Sequence, residues 1–308
     1  MDMDSLEPQP LSALLAKQFP PDMFWLEPNI LPKGGIMLFG GQAKIGKSFI
    51  ALELIRALAS GTSPFDYPLL QVPKAAKVLL IEQELGEYGL QKRIKTLFPP
   101  SVMSACNDNL WYLSMVPELK LDEVRGYDKL RKIVDKVKPN ILVLDPISKM
   151  HNYEEQSNSQ IGELLSKLSK LRKEFRELGL SIIMSHHFGK PPKTDSGKDS
   201  IDPLSPYNFR GASRWFDDVD AAVPVCRLGE LTTLPHFATE IQTRWILRHG
   251  EELDDTIMTF NRKNDHRVIF DRFADGNKNP KFKVPPLSFK PGGSNNNSGG
   301  GFKVARTA

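Results

Sequence analysis

Ile36-Met37-Leu38-Phe39-Gly40-Gly41-Gln42-Ala43-Lys44-Ile45-Gly46-Lys47-Ser48-Phe49-Ile50-Ala51-Leu52 is the stretch on which the fold turns. Its apolar start reads as a buried strand. Gly-x-x-x-x-Gly-Lys-Ser follows at once, and Phe49 to Ile55 reads as a helix. Strand, glycine loop and helix in that order make a P-loop. The glycines let backbone N–H groups turn inward around phosphate oxygens, and the helix N-terminus adds partial positive charge at the same point. Gly41, Gln42, Ala43, Lys44, Ile45, Gly46, Lys47, Ser48 and Phe49 are therefore the expected phosphate cradle. Lys47 is placed to reach the β- and γ-phosphates, and the Ser48 hydroxyl to ligate Mg²⁺. ATP with Mg²⁺ is the expected ligand.

Outward from this loop, apolar runs alternate with helical patterns. Val78-Leu79-Leu80-Ile81 ends at Glu82-Gln83-Glu84, and Leu90–Leu97 is a predicted helix stopped by Pro99-Pro100. Leu110–Val116 reads as a strand. Leu130, Ile133, Val134 and Val137 share a helix face that ends before Pro139. Ile141-Leu142-Val143-Leu144-Asp145 is the next buried run. Ile161, Leu164, Leu165, Leu168, Leu171 and Phe175 line a longer helix. Leu180–Met184, ending at His186-His187, and Val219–Cys226 read as further strands. From His236 to Phe273 short segments alternate with turns and suggest an antiparallel extension. The fold class is α/β, with a mostly parallel central sheet, helices on both faces and a C-terminal antiparallel extension. The domains expected are an arm over 1–33, a core over 34–278 and a disordered tail over 279–308, where Pro291–Gly301 is rich in Gly, Ser and Asn.

In parallel sheets ligands bind beyond the carboxyl ends of the strands. Glu82, Glu84, Asp145, His186 and His187 are thus expected to converge on the P-loop. Asp145 fits a carboxylate that orients Mg²⁺ or its waters. Glu84, with Glu82 as the second choice, fits the group that positions or deprotonates the attacking water. His186-His187 fits a polar relay that senses the γ-phosphate. Arg210 is the first candidate for an arginine supplied across a subunit interface, and Arg248 the second; Lys190, Arg214, Arg262 and Lys263 are rivals. Phe24-Trp25, just before the first strand, reads as packing more than as a base contact.

Composition sets the outer limits. The 308 residues carry 41 Lys and Arg against 37 Asp and Glu, a net charge of +4 that permits a nucleic-acid partner without demanding one. Two cysteines, Cys106 and Cys226, form neither a metal motif nor a disulfide pattern. No run approaches the ~18 apolar residues of a membrane span. The acidic start Met1-Asp2-Met3-Asp4-Ser5 lacks a signal-peptide core. A cytoplasmic protein with no membrane partner is expected.

Gly-Gly-Gln-Ala-Lys-Ile-Gly-Lys-Ser, Val-Leu-Leu-Ile-Glu-Gln-Glu, Ile-Leu-Val-Leu-Asp-Pro, Met-Ser-His-His-Phe-Gly-Lys and Arg-Gly-Ala-Ser together resemble the RecA-like ATPases. Within them the pattern over residues 20–275 looks most like the RepA branch of the hexameric DnaB-type replicative helicases. The resemblance implies Lys47 and Ser48 as phosphate and Mg²⁺ ligands, Glu84 as catalytic glutamate and Asp145 as Mg²⁺ holder. It further implies that His187 couples the γ-phosphate to DNA loops and that Arg210 reaches a neighbouring subunit. It implies the strand order 110–115, 78–82, 141–145, 180–184, 35–39, 219–225, with the 241–271 strands beyond. It also implies a homo-oligomer, a hexameric ring, acting on single-stranded DNA with replication or recombination proteins, and a bacterial, plasmid- or phage-encoded origin. Lys149–Gln160 and 188–209 would line the ring's centre, although Glu154-Glu155, Asp195, Asp199 and Asp202 dilute any basic patch. A RecA-core recombination ATPase and a KaiC-like regulatory ATPase acting on a protein partner are the alternatives.

Overall fold

The computed structural model describes residues 8–42, 44–188, 202–209, 213–228, 238–251, 253–261 and 266–274. Contacts divide the chain into Met1–Gly276 and Asn277–Ala308, and every described residue lies in the first unit. In chain order the elements are α1 (Leu11–Leu15), β1 (Phe24–Leu26), β2 (Leu31–Pro32), β3 (Ile36–Gly41), α2 (Lys47–Ser60), β4 (Val78–Glu82), α3 (Gly86–Leu97), α4 (Pro100–Cys106), β5 (Leu110–Ser114), α5 (Val124–Val137), β6 (Ile141–Asp145), α6 (Asn158–Glu174), β7 (Ser181–His187), α7 (Arg214–Asp217), β8 (Ala221–Arg227), β9 (Ala238–Leu247), β10 (Leu253–Asn261) and β11 (Val268–Phe273).

Among the described residues one nine-stranded sheet runs β11-β10-β9-β8-β3-β7-β6-β4-β5. The six strands from β8 to β5 are parallel, while β9, β10 and β11 continue it as an antiparallel ribbon. This is the order the resemblance implies. The central strands are buried on both faces, which is why they read as unbroken apolar runs. Alternate residues feed two cores. Met37, Phe39, Leu80 and Val143 pack under α2, α3 and α4. Ile36, Leu38, Ile81, Leu142 and Leu144 pack under α5, α6 and α7.

Two details depart from the sequence reading. Pro99-Pro100, read only as a stop, also starts α4, with Pro100 in the first turn where its missing N–H costs nothing. β7 runs on to His187, three residues past Met184. Trp25, read as packing, is buried with Leu26, Ile30 and Leu31 in the core beneath α2. Trp25 donates its indole N–H to the Gly179 carbonyl at 2.9 Å.

Gly126 sits in α5, where glycine lowers helix stability by about 1 kcal/mol relative to alanine. The Lys120 backbone crosses the helix there, and an added Cβ would lie 2.6 Å from the Lys120 carbonyl carbon. The backbone clash outweighs the propensity gain. Gly126→Ala is expected to destabilise the protein by about 1–3 kcal/mol, measured as a drop in the urea midpoint; a rise in the midpoint would contradict this packing.

Candidate functional site

The site starts where β3 ends. Gly46 caps α2 with φ of 101°, a conformation that needs glycine, and a side chain there would also press on the Phe260 ring at 3.1 Å. The ladder of α2 begins with Phe49 and Ile50 donating to the Gly46 carbonyl at 2.9 and 3.2 Å. The amides before them belong to a helix start and carry its partial positive charge. Lys44, Gly46, Lys47, Ser48 and Phe49 line one wall of a cleft of about 370 Å³. Ile45 is buried beneath it, and Ala43 lies outside the described residues.

Lys47 is only 8% exposed and donates to the carbonyls of Gly41 at 3.0 Å and Gln42 at 2.8 Å. Burial lowers its pKa to about 8, against the pull of Asp145 and Glu84. Asp145, at the tip of β6, is 7% exposed. Burial pushes its carboxyl up to about 6, helped by Glu84 and Glu82 and opposed by the Ser185 hydroxyl, which donates to it, and by Lys47. Each charge is held where water solvates it poorly. A phosphate on Lys47 and a divalent cation on Asp145 would relieve both. The Ser48 hydroxyl and the Asp145 carboxylate are hard oxygen donors, a set that fits Mg²⁺, which fills its remaining positions with water and phosphate. Among the described residues no group of three or more His, Cys, Asp or Glu gathers as a metal cluster of its own.

The two glutamates that the sequence left open take different places. Glu82 is 2% exposed and turned inward. One of its oxygens accepts from the amides of Glu84 and Leu85, and the other from the Ser114 hydroxyl at 3.1 Å. It shapes the turn into α3. Glu84 lines the cleft, and its carboxylate lies 3.9 Å from His187 Nε2. The histidines divide in the same way, because successive residues of a strand face opposite sides. His187 faces the cleft, level with Gly41 in the β3–β7 register. His186 points into the other core, with its ring 4.7 Å from that of Trp215 and 6.5 Å from that of Phe209.

Of the candidate cations only Arg214 and Arg248 are described, and neither lines the cleft. Arg210, Lys190, Arg262 and Lys263 lie outside the described residues. Arg214 pairs with Asp218 at 2.8 Å. Arg248 follows β9 at the opposite pole, where its amide donates to the Asp220 carbonyl and its guanidinium to that of Asp217.

Arg93, Phe260 and His266 also line the cleft, and the sequence reading missed them. Arg93 sits on α3, 4.4 Å over the Phe49 ring, and burial lowers its pKa while Asp145, Glu82 and Glu84 oppose the shift. Its signal was present: it falls on the inward stripe of α3 between Leu90 and Leu97, where a charge is out of place. Phe260 and His266 reach the cleft only through the distant ribbon, and no local pattern marks them.

The AAA domain family matches residues 3–193, a span that takes in the P-loop, Glu84, Asp145 and His187. The chain belongs to the AAA domain family. Its P-loop, strand order and antiparallel ribbon are those expected of the RecA-like ATPase fold. A solved KaiC-like protein from the hyperthermophilic archaeon Pyrococcus horikoshii is similar at 14% identity and a TM-score of 0.49, over 80% of this chain and 93% of that one. No curated protein matches the sequence. No helix among the described residues is long and apolar enough to cross a membrane.

The geometry separates the two glutamates by experiment. Glu84→Gln is expected to lower ATP turnover by about 10²–10⁴-fold with nucleotide affinity little changed, as loss of a positioned base does. Glu82→Gln is expected to lower the melting temperature first, because it weakens the turn that holds Glu84. Turnover lost equally in both variants at equal stability would contradict the assignment.

Proposed function

We propose that this chain is an ATP-driven motor of the RepA/DnaB-helicase type that works as a homo-oligomer, a hexameric ring, on single-stranded DNA. The observation that carries the ATPase half is the convergence of Lys47, Glu84 and His187 on one cleft at the P-loop, with Asp145 close enough to act on Lys47. In this reading the α2 amides and Lys47 hold the β- and γ-phosphates. Mg²⁺, on Ser48 and Asp145, would neutralise phosphate charge. Glu84 orients the attacking water and accepts its proton. Arg93 is a second cation of the same chain at this cleft, within the field of Asp145, Glu82 and Glu84, and Arg210 is the arginine assigned to a neighbour's site.

The DNA half rests on the motif resemblance. His187 stands between Glu84 and the segment that follows β7, so loss of the γ-phosphate would be felt at that segment's root. Replication or recombination proteins are the proposed partners. The cytoplasm, in a bacterial host with a plasmid- or phage-encoded gene, is the proposed setting.

One observation favours the regulatory ATPase as a second reading. The connection after β6 exposes Asn152, Glu154 and Gln156 beside Lys149, and its Met150 and His151 are buried, so this surface lacks a basic stripe for phosphates. A protein partner suits such a surface better.

ATP turnover with and without single-stranded DNA decides between them: stimulation that fades with added salt is expected for the motor, and indifference to DNA for the regulator. Mixing intact protein with Lys47→Ala protein tests shared sites. Activity is expected to fall faster than the fraction of intact chains, and a linear fall would count against the ring.

A further inference from the structure

Two chemically different sets of side chains line the cleft. Lys47, Glu84 and His187 are ionisable, which suits a metal-bound triphosphate. Phe49, Phe260 and His266 are aromatic, with the Arg93 guanidinium 4.4 Å over the Phe49 ring. The Phe49 ring lies 4.7 Å from Phe260 and 5.4 Å from His266, which meets it edge-on at 79°. Both partners come from the ribbon, beyond residue 193 where the family match ends. His266 is held at φ of 55°, a left-handed conformation uncommon for a residue with a side chain. Such geometry persists only where neighbouring contacts over-determine it.

The next residue supplies those contacts. Arg267 donates to Glu53 at 2.9 Å and forks onto both oxygens of Asp66 at 2.8 Å. Glu53 is fully buried on α2, and its second oxygen accepts from Arg56. Arg56 in turn donates to the Thr62 hydroxyl at 3.1 Å and the Ser63 carbonyl at 3.2 Å. This ionic network is buried at Glu53 and Arg56 and open to solvent at Asp66; it is a weak source of stability compared with apolar packing, and its distinctive property is directionality. It ties the start of β11 to the helix that carries the P-loop.

We propose that Phe260 and His266 form the nucleobase wall of the cleft, and that Arg267 is a positioning residue that sets this wall through His266 by its fork onto Glu53 and Asp66. The inference rests on the ATP reading above and adds to it the element that distinguishes a nucleotide from a bare polyphosphate. Base–aromatic contacts tolerate many bases, so the wall predicts affinity for nucleoside triphosphates as a class.

Calorimetric titration of the full chain with ATP and with tripolyphosphate, both with Mg²⁺, tests it. The intact protein is expected to bind ATP at least about tenfold more tightly than tripolyphosphate, the scale of one base–aromatic contact. His266→Ala and Arg267→Met are each expected to weaken ATP about tenfold and to leave tripolyphosphate within about twofold, and the double variant to be no worse than either alone. Should Arg267→Met fail to fold, Arg267→Lys keeps the charge, drops the fork and reads the same ratio. Equal affinity of the intact protein for the two ligands would overturn the wall while leaving the triphosphate site standing. Parallel weakening of both ligands by the Arg267 variants, or additive effects in the double variant, would overturn the positioning role. Binding of neither ligand would remove the ATP reading and the wall with it.

Discussion

The chemical groups of the cleft hang from the carboxyl ends of parallel strands held in a single register. Glu82 pairs with Asp145 across β4 and β6, and Gly41 with His187 across β3 and β7. Side chains alternate between faces, so a slip of one residue would turn Asp145 and His187 away from the P-loop and bring Leu144 and His186 in their place. The register is itself fixed by burial. Leu38, Leu142, Leu144 and Met184 fill one core while Phe39, Leu80, Val143 and Ile183 fill the other. No strand can shift without exposing apolar groups on one face and burying polar ones.

That rigidity lets the protein keep Lys47 and Asp145 in poor contact with water. Burial alone disfavours both charged forms, and the directions of their shifts show it: the lysine is lowered and the carboxyl raised. Such groups weaken the empty fold and strengthen the filled one, since a ligand that binds only the native state stabilises it by mass action. The interior around them makes up the difference. α2 is buried along most of its length, wedged among strands, ribbon and α4.

The antiparallel ribbon extends the sheet beyond β8 and folds back over α2. Tyr67 stacks on Phe270 with ring centroids 4.2 Å apart, and Phe270 packs against Phe273. Together with Arg267 these contacts bind the helix that carries the P-loop, and the turn after it, to residues more than two hundred positions away. The cleft thus has one wall built by local sequence and one built by long-range packing.

The sequence alone determined what depends on near neighbours. Gly46, Lys47 and Ser48 needed only a strand before them and a helix after them, and the apolar run ending at Asp145 announced both its burial and its polar tip. The choice between Glu82 and Glu84, and between His186 and His187, belonged to the tertiary structure. At a strand end the turn decides which way a side chain faces, and here Ser114, a residue of another strand, captures Glu82 and leaves Glu84 for the cleft. Arg93, Phe260 and His266 were decided there as well. Each arrives from an element whose own pattern says that it packs, and only three-dimensional proximity says against what.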